Sequence, residues 1–133
     1  MPTPAETGLQ RWHELVESRD ASRLPEMIAE GAVFHSPAVH SPQEGRELVT
    51  AYLAGAIQVL GSSLTYVREW QHDTDAVLRF TAEVDGLHVA GVDLIRWDDD
   101  GLIVDFTVMI RPFKALQAVM GRMLEELART PGS

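Results

Sequence analysis

Two side chains stand where their chemistry permits proton transfer. Asp93 lies within Val89-Ala90-Gly91-Val92-Asp93-Leu94-Ile95, an otherwise apolar run of strand-forming residues. With period-two alternation it shares a face with Gly91, Ile95 and Trp97. A carboxylate on such a face loses solvation, and its pKa rises unless a cation or donors compensate. Asp93 is therefore the first catalytic candidate, as a general acid or as a neutral donor to a carbonyl oxygen. The competing account is a strand-edge aspartate that meets an arginine or water. His35 closes a shorter strand-like run ahead of Pro37. An imidazole titrates near neutral pH and can act as a base, so His35 is the second catalytic candidate, expected to point inward. A hydrogen-bonded core or rim histidine is its alternative. His40, in the Val39-His40-Ser41 loop, is expected in solvent.

Around these, Trp12, Tyr52 and Trp70 are the large aromatics able to line a cavity, joined by Phe106 and Val108 on one face of the last strand. Trp12 and Tyr52 lie on apolar stripes of their helices, as core residues also do. Their polar tips need partners when buried, and a ligand can be one. His35, His40 and His88 show neither helical i, i+4 nor His-x-His spacing, so no metal site is expected. No Gly-x-Gly-x-x-Gly, P-loop or Gly-x-Ser-x-Gly occurs, so no cofactor is expected. Asp98-Asp99-Asp100-Gly101 lacks the alternating ligands and distal glutamate of a calcium loop and reads as a solvated turn.

Elements must hold these groups. Leu9, Trp12, Leu15 and Val16 recur at helical spacing, predicting an amphipathic helix over 8–19. Asp20 caps a short second helix carrying Leu24, Met27 and Ile28. Residues 32–36 read as a strand. Ser41-Pro42-Gln43-Glu44 has the form of a capping box ahead of a long helix through Leu60, stopped by Gly61. The period then changes, giving strands at 64–71, 76–85, 89–97 and 102–110 with Asp-Gly turns, which predicts an antiparallel sheet. Pro112 opens a last helix, and 131–133 is a short tail. Helices segregated from an antiparallel sheet make the class α+β, with residues 1–133 as one domain.

Composition narrows the partners. The chain has 133 residues, 45% of them hydrophobic, enough for a real core. Eleven basic residues against twenty acidic ones give a net charge of −9, which repels a phosphate backbone, so nucleic acid is excluded as a partner. Cysteine is absent, which removes disulfides and thiolate chemistry and suits a reducing compartment. No basic leader and no apolar run of ~18 residues is evident, so the expectation is a cytoplasmic protein without a membrane span.

The element order, with Gln10-Arg11-Trp12, Arg19-Asp20, Gly31-Ala32-Val33-Phe34-His35-Ser36-Pro37, Asp93-Leu94-Ile95-Arg96-Trp97 and Asp100-Gly101-Leu102-Ile103, resembles the nuclear-transport-factor-2-like (NTF2-like) superfamily and its SnoaL-like, ketosteroid-isomerase-like group. The resemblance covers nearly the whole chain. It implies a cone, with helices packed on a curved sheet around a pocket. The group spans isomerases, epoxide hydrolases, polyketide cyclases and non-catalytic binding domains. Carried over by motif from the ketosteroid isomerases, the general base falls on Ser36, the tyrosine on Trp12 and the protonated acid on Asp93. For the epoxide hydrolases the needed aspartate falls on Val108. For the SnoaL-type cyclases the pocket acid falls on Asp93.

Two functions remain open. One is binding of a small hydrophobic molecule, with acid/base isomerase, cyclase or hydratase chemistry centred on Asp93 and His35. The other is a non-catalytic module whose cavity is filled by Trp12, Tyr52 and Phe106. A cavity of ~300 Å³ or more would favour the first. The last strand also presents Thr107 and Met109 on its outer face, which predicts a homodimer through the convex side of the sheet.

Overall fold

The computed structural model describes residues 1–129; the tail expected at 131–133 lies outside the described residues. The first helix, α1 (Pro4–Ser18), starts where Thr3 Oγ1 accepts from the Glu6 amide at 3.1 Å and proline takes the first turn. It ends in a left-handed Arg19 whose amide returns to the Leu15 carbonyl. Asp20 caps a short 3₁₀ turn, and α2 (Leu24–Met27) follows. The strand β1 (Ile28–His35) begins earlier than its apolar residues suggest, taking Ile28 out of the expected helix.

The expected capping box is not one. Gln43–Glu44 is a two-residue strand, β2, antiparallel to β1, and the long helix α3 (Arg46–Leu60) starts after Gly45. Gly45 has φ of 101° and its amide donates to the Ala32 carbonyl at 2.8 Å. A side chain is strained in that conformation, so glycine, not a capping serine, sets the helix start.

Four strands complete the sheet: β3 (Thr65–His72), β4 (Asp75–Val84), β5 (Leu87–Trp97) and β6 (Ile103–Arg111), before the last helix α4 (Phe113–Arg129). The order is β2-β1-β6-β5-β4-β3. The expected antiparallel meander is present from β3 to β6, but β1 runs parallel to β6, so the six-stranded sheet is mixed. A parallel pairing needs a long crossover, and α3 with the meander supplies it. Asp85 and Gly86, with φ of 52° and 79°, make the β4–β5 hairpin. In the β5–β6 turn Asp98 Oδ1 accepts from the amides of Asp100 and Leu102 at 2.9 and 3.0 Å, so the acidic run closes on itself.

One face of the sheet is covered by α1, α3 and α4, and the core lies between. Val89, Ile95 and Trp97 on β5, Leu78 and Phe80 on β4, and Phe106 on β6 are buried there with Leu53 of α3. A Cβ on Gly8 of α1 would stand 2.2 Å from Trp97 Nε1, so glycine lets the helix lie directly on that indole. The close approach sets how near α1, and with it Trp12, comes to the sheet. A methyl group there would overpack a buried ring, a kind of change that costs about 1–3 kcal/mol. No helix among the described residues is long and apolar enough to cross a membrane.

Candidate functional site

Asp93 sits on β5 with Leu78 of β4 on one side and Val108 of β6 on the other, both buried. It is only 6% exposed and the one polar or charged residue in the buried core of the described chain. Strand alternation puts it there, since Val89, Ile95 and Trp97 on the same face are buried against the helices. Burying an unpaired carboxylate costs several kcal/mol, so its partners decide its state. No cation is among them. The Tyr66 hydroxyl of β3 donates to Asp93 Oδ2 at 2.7 Å, and the Trp12 indole Nε1 of α1 donates to Tyr66 Oη at 2.9 Å.

Burial without a counterion pushes Asp93 up to about 7, against an ordinary 3.8, although the bond from Tyr66 pulls it down. Burial, followed by the Asp93 charge, raises Tyr66 well above the usual phenol range. Near neutral pH the chain is therefore Trp–NH to Tyr–OH to a carboxyl group close to half protonated. Asp93 Oδ1 has no hydrogen-bond partner among the described residues, and Asp93 lines the cavity between helices and sheet.

That cavity is lined by Trp12, Phe34, Tyr52, Tyr66, Phe106 and Val108 from α1, α3 and the strands, by Ser36 and Pro37, and by Val119, Met120 and Met123 of α4. The rings interlock: Trp12 and Phe106 centroids are 5.1 Å apart, Phe34 and Tyr52 5.3 Å, Phe34 and Phe106 6.1 Å. Space between the lining residues totals about 600 Å³ counted out to open solvent, but only about 50 Å³ is wide enough for water. About three to five waters would fill it, at roughly 10–15 Å³ each. The second figure governs binding, and it falls short of the size expected of an open pocket.

Of the residues singled out in the sequence, Asp93, Trp12, Tyr52, Phe106 and Val108 come together on this cavity. The Trp12 tip, for which a ligand was one of the possible partners, donates to Tyr66 instead. His35 does not join them. Phe34 faces the cavity, so the next residue on the strand points to the opposite, convex face. There His35 Nε2 lies 3.2 Å from Asp105 Oδ2, with both side chains more than a third exposed. Trp70 is also outside, 46% exposed, with the Arg68 guanidinium 4.8 Å over its ring. His40 and His88 are exposed, and no group of three candidate metal ligands occurs among the described residues. Tyr66 was missed. Leu64-Thr65-Tyr66 carries the signal, because alternation turns Leu64 and Tyr66 to the same inner side, opposite Phe80.

The profile of the SnoaL-like domain family matches residues 9–106. Among solved structures, a steroid delta-isomerase from Pseudomonas aeruginosa is 38% identical, with a TM-score of 0.90, covering 96% of this chain and 94% of that one. An uncharacterized bacterial protein with a cystatin-like fold from Silicibacter pomeroyi is 32% identical, with a TM-score of 0.84 over 92% of this chain and 86% of its own. A Mycobacterium tuberculosis protein in complex with estradiol-17β-hemisuccinate is 19% identical, with a TM-score of 0.65 over 84% and 100%, and shares the fold. No protein of curated function matches.

The raised carboxyl has a consequence for stability. An unfolded chain releases the Asp93 proton near 3.8 and the folded chain holds it to about 7, so between these values the folded state binds more protons. Stability contributed by the neutral acid is complete below the lower value and is lost as pH rises through the upper one, by about 4 kcal/mol in all. Asp93→Asn removes this slope. Denaturant midpoints measured from about pH 4 to 8 should draw together toward the acid end, with the variant the more stable at the alkaline end; parallel profiles would show that Asp93 titrates normally.

Proposed function

The chain belongs to the SnoaL-like domain family, and on that premise we propose that its NTF2-like cone binds a small hydrophobic molecule through one oxygen hydrogen-bonded to Asp93. Acid/base chemistry of the isomerase kind would then centre on that carboxyl. One observation carries the reading: an apolar cavity on which, among the described residues, Asp93 is the one carboxyl group, with an oxygen left unbonded and near half-protonation at neutral pH. A neutral acid donates to a carbonyl, and a developing oxyanion would draw that bond tighter. The similarity to a steroid delta-isomerase supports a steroid-like or comparably flat ligand. His35 has no part in this, since its ring lies on the other side of the sheet.

Binding requires the cavity to widen. Met120 and Met123 line it from α4, and methionine repacks at low cost. The small free volume also favours the second reading, a cone packed shut by Trp12, Tyr52 and Phe106 with no ligand. The two part on a titration of a steroid ketone against its analogue without the carbonyl oxygen, followed by tryptophan fluorescence. The ketone should bind, and more weakly by about tenfold as pH rises through 7 and the donor is lost. The analogue should show no such dependence. Absence of binding by either compound at any pH leaves the packed-shut cone.

A homodimer is the companion proposal. The sheet's uncovered face carries Met109, 55% exposed, and Trp70 beside half-buried Val77, Val92 and Leu94. Arg68, Arg79 and Arg111 stand with Asp75 and Asp105 around this apolar centre, giving a second copy both signs to meet. Sedimentation equilibrium at micromolar concentration should find twice 14.7 kDa, and Met109→Glu should halve it while ketone binding persists. A monomer before substitution ends this proposal.

A further inference from the structure

An indole nitrogen donates and never accepts. The Trp12 Nε1 bond to Tyr66 Oη therefore has one possible direction, and it occupies a lone pair of the tyrosine oxygen. The hydroxyl has a single proton of its own, and its partner at 2.7 Å is Asp93 Oδ2. Tyr66 is thus an intermediate in a chain running one way, from α1 through β3 to β5. The carboxyl oxygen that the chain does not reach, Oδ1, is the one left for the cavity. We propose that Trp12 is the positioning residue of this site: its N–H commits the Tyr66 hydroxyl to Asp93, and so decides which carboxyl oxygen meets a ligand and how readily that carboxyl gives up its proton. This rests on the reading that Asp93 is the ligand's partner.

The placement of Trp12 is well defined by its surroundings. Its ring is 3% exposed and packs on Phe106 at 5.1 Å, while Gly8, one turn earlier, seats α1 against Trp97. The indole has little freedom to swing away, so its N–H stays aimed at Tyr66. A donor bonded to the hydroxyl oxygen makes that hydroxyl a better donor in turn, the ordinary cooperativity of hydrogen-bond chains. The carboxylate form of Asp93 gains from this at second hand.

Other charged groups near the chain are few. Glu69 of β3 and His13 of α1 form an ion pair with each other, and the His13 ring meets Tyr66 edge-on at 5.4 Å. The Glu69 charge helps to raise Tyr66 but is the smallest of its influences. From β4 and β6 the groups paired with Asp93 are Leu78 and Val108, and the helices add apolar side chains such as Leu53, Ile57, Val119 and Met123 to the cavity it lines. The one further titratable group on that wall among the described residues is the Tyr52 phenol of α3, which is not bonded to Asp93. Asp93 consequently answers to Tyr66, and to Trp12 through it.

A double-substitution cycle tests this on the free protein. The ¹³Cγ resonance of Asp93 is titrated in the unsubstituted chain, in Trp12→Phe, in Tyr66→Phe and in the double variant. Tyr66→Phe should raise the midpoint by about one pH unit, the loss of a hydrogen bond to a charged acceptor. Trp12→Phe should raise it by roughly a few tenths of a pH unit while Tyr66 is present, and by nothing once Tyr66 is gone. A merely structural role for the indole would shift the midpoint equally in both backgrounds, and that result, or no shift in either, overturns the proposal. If Trp12→Phe fails to fold, benzothienylalanine at position 12 keeps the ring's shape and replaces N–H by sulfur, with the same pattern expected. The ketone titration stands apart from this cycle. The expected midpoints in a protein that binds no ketone sustain the role of Trp12 and sink the ligand, whereas ketone binding with equal midpoint shifts does the reverse.

Discussion

A carboxyl group on the central strand of an apolar sheet, with a tyrosine hydroxyl for company and no cation, is the constraint around which this molecule is arranged. The penalty for burying Asp93 as an anion would be several kcal/mol, a large part of the stability of a domain this size. The chain meets that penalty by letting the proton stay, and by supplying one hydrogen bond from Tyr66. Everything that makes the carboxyl accessible to chemistry follows from what is withheld. An arginine beside it would have fixed it as an anion and made it inert as a donor. Here its tuning rests on desolvation alone, opposed by a single bond.

The remainder of the architecture keeps that situation in place. Leu78 and Val108 on the flanking strands deny it water from either side, and α1 brings the Trp12 indole to the far side of Tyr66. Gly8 permits that approach by letting the helix rest on Trp97. Aromatic rings and methionines close the remaining wall, and they leave little free volume. The tight closure serves the carboxyl as well as any ligand would, because an apolar wall with little room for water is what holds its proton near neutral pH. A ligand that enters must therefore displace side chains and not bulk water. Soft methionines on α4 are the part of the wall most able to yield.

Much of this was legible in the residues, for physical reasons that can be named. The fold follows from a change of period at Gly61 and from Asp-Gly turns, and the burial of Asp93 follows from its apolar neighbours on a strand. Phe34 and His35 show where such reasoning slips. The histidine was chosen for its chemistry, but strand alternation allows only one of the two to face the cavity, and the larger apolar ring takes it. The same logic applied to Leu64 and Tyr66 would have found the tyrosine that bonds Asp93. Trp70 was a different kind of miss. An aromatic residue in a strand carries no label for its face, and a register shift between Tyr66 and Arg68 moves the residues that follow. Gly45 and the short strand before it had no local signal, because their conformation is set by pairing with β1 across the sequence.

The central claim is that the folded protein holds the carboxyl group on its cavity wall protonated up to near neutral pH, where it is about half ionised. Infrared difference spectroscopy reads this directly, since a neutral carboxylic acid has a carbonyl stretch that a carboxylate lacks. Comparing the unsubstituted chain with Asp93→Asn isolates one residue. The account predicts a carboxylic-acid band at about pH 6 that belongs to Asp93 and fades with a midpoint near 7. A spectrum in which that band is already gone at pH 6, with Asp93 ionising in the usual range near 4, would contradict it.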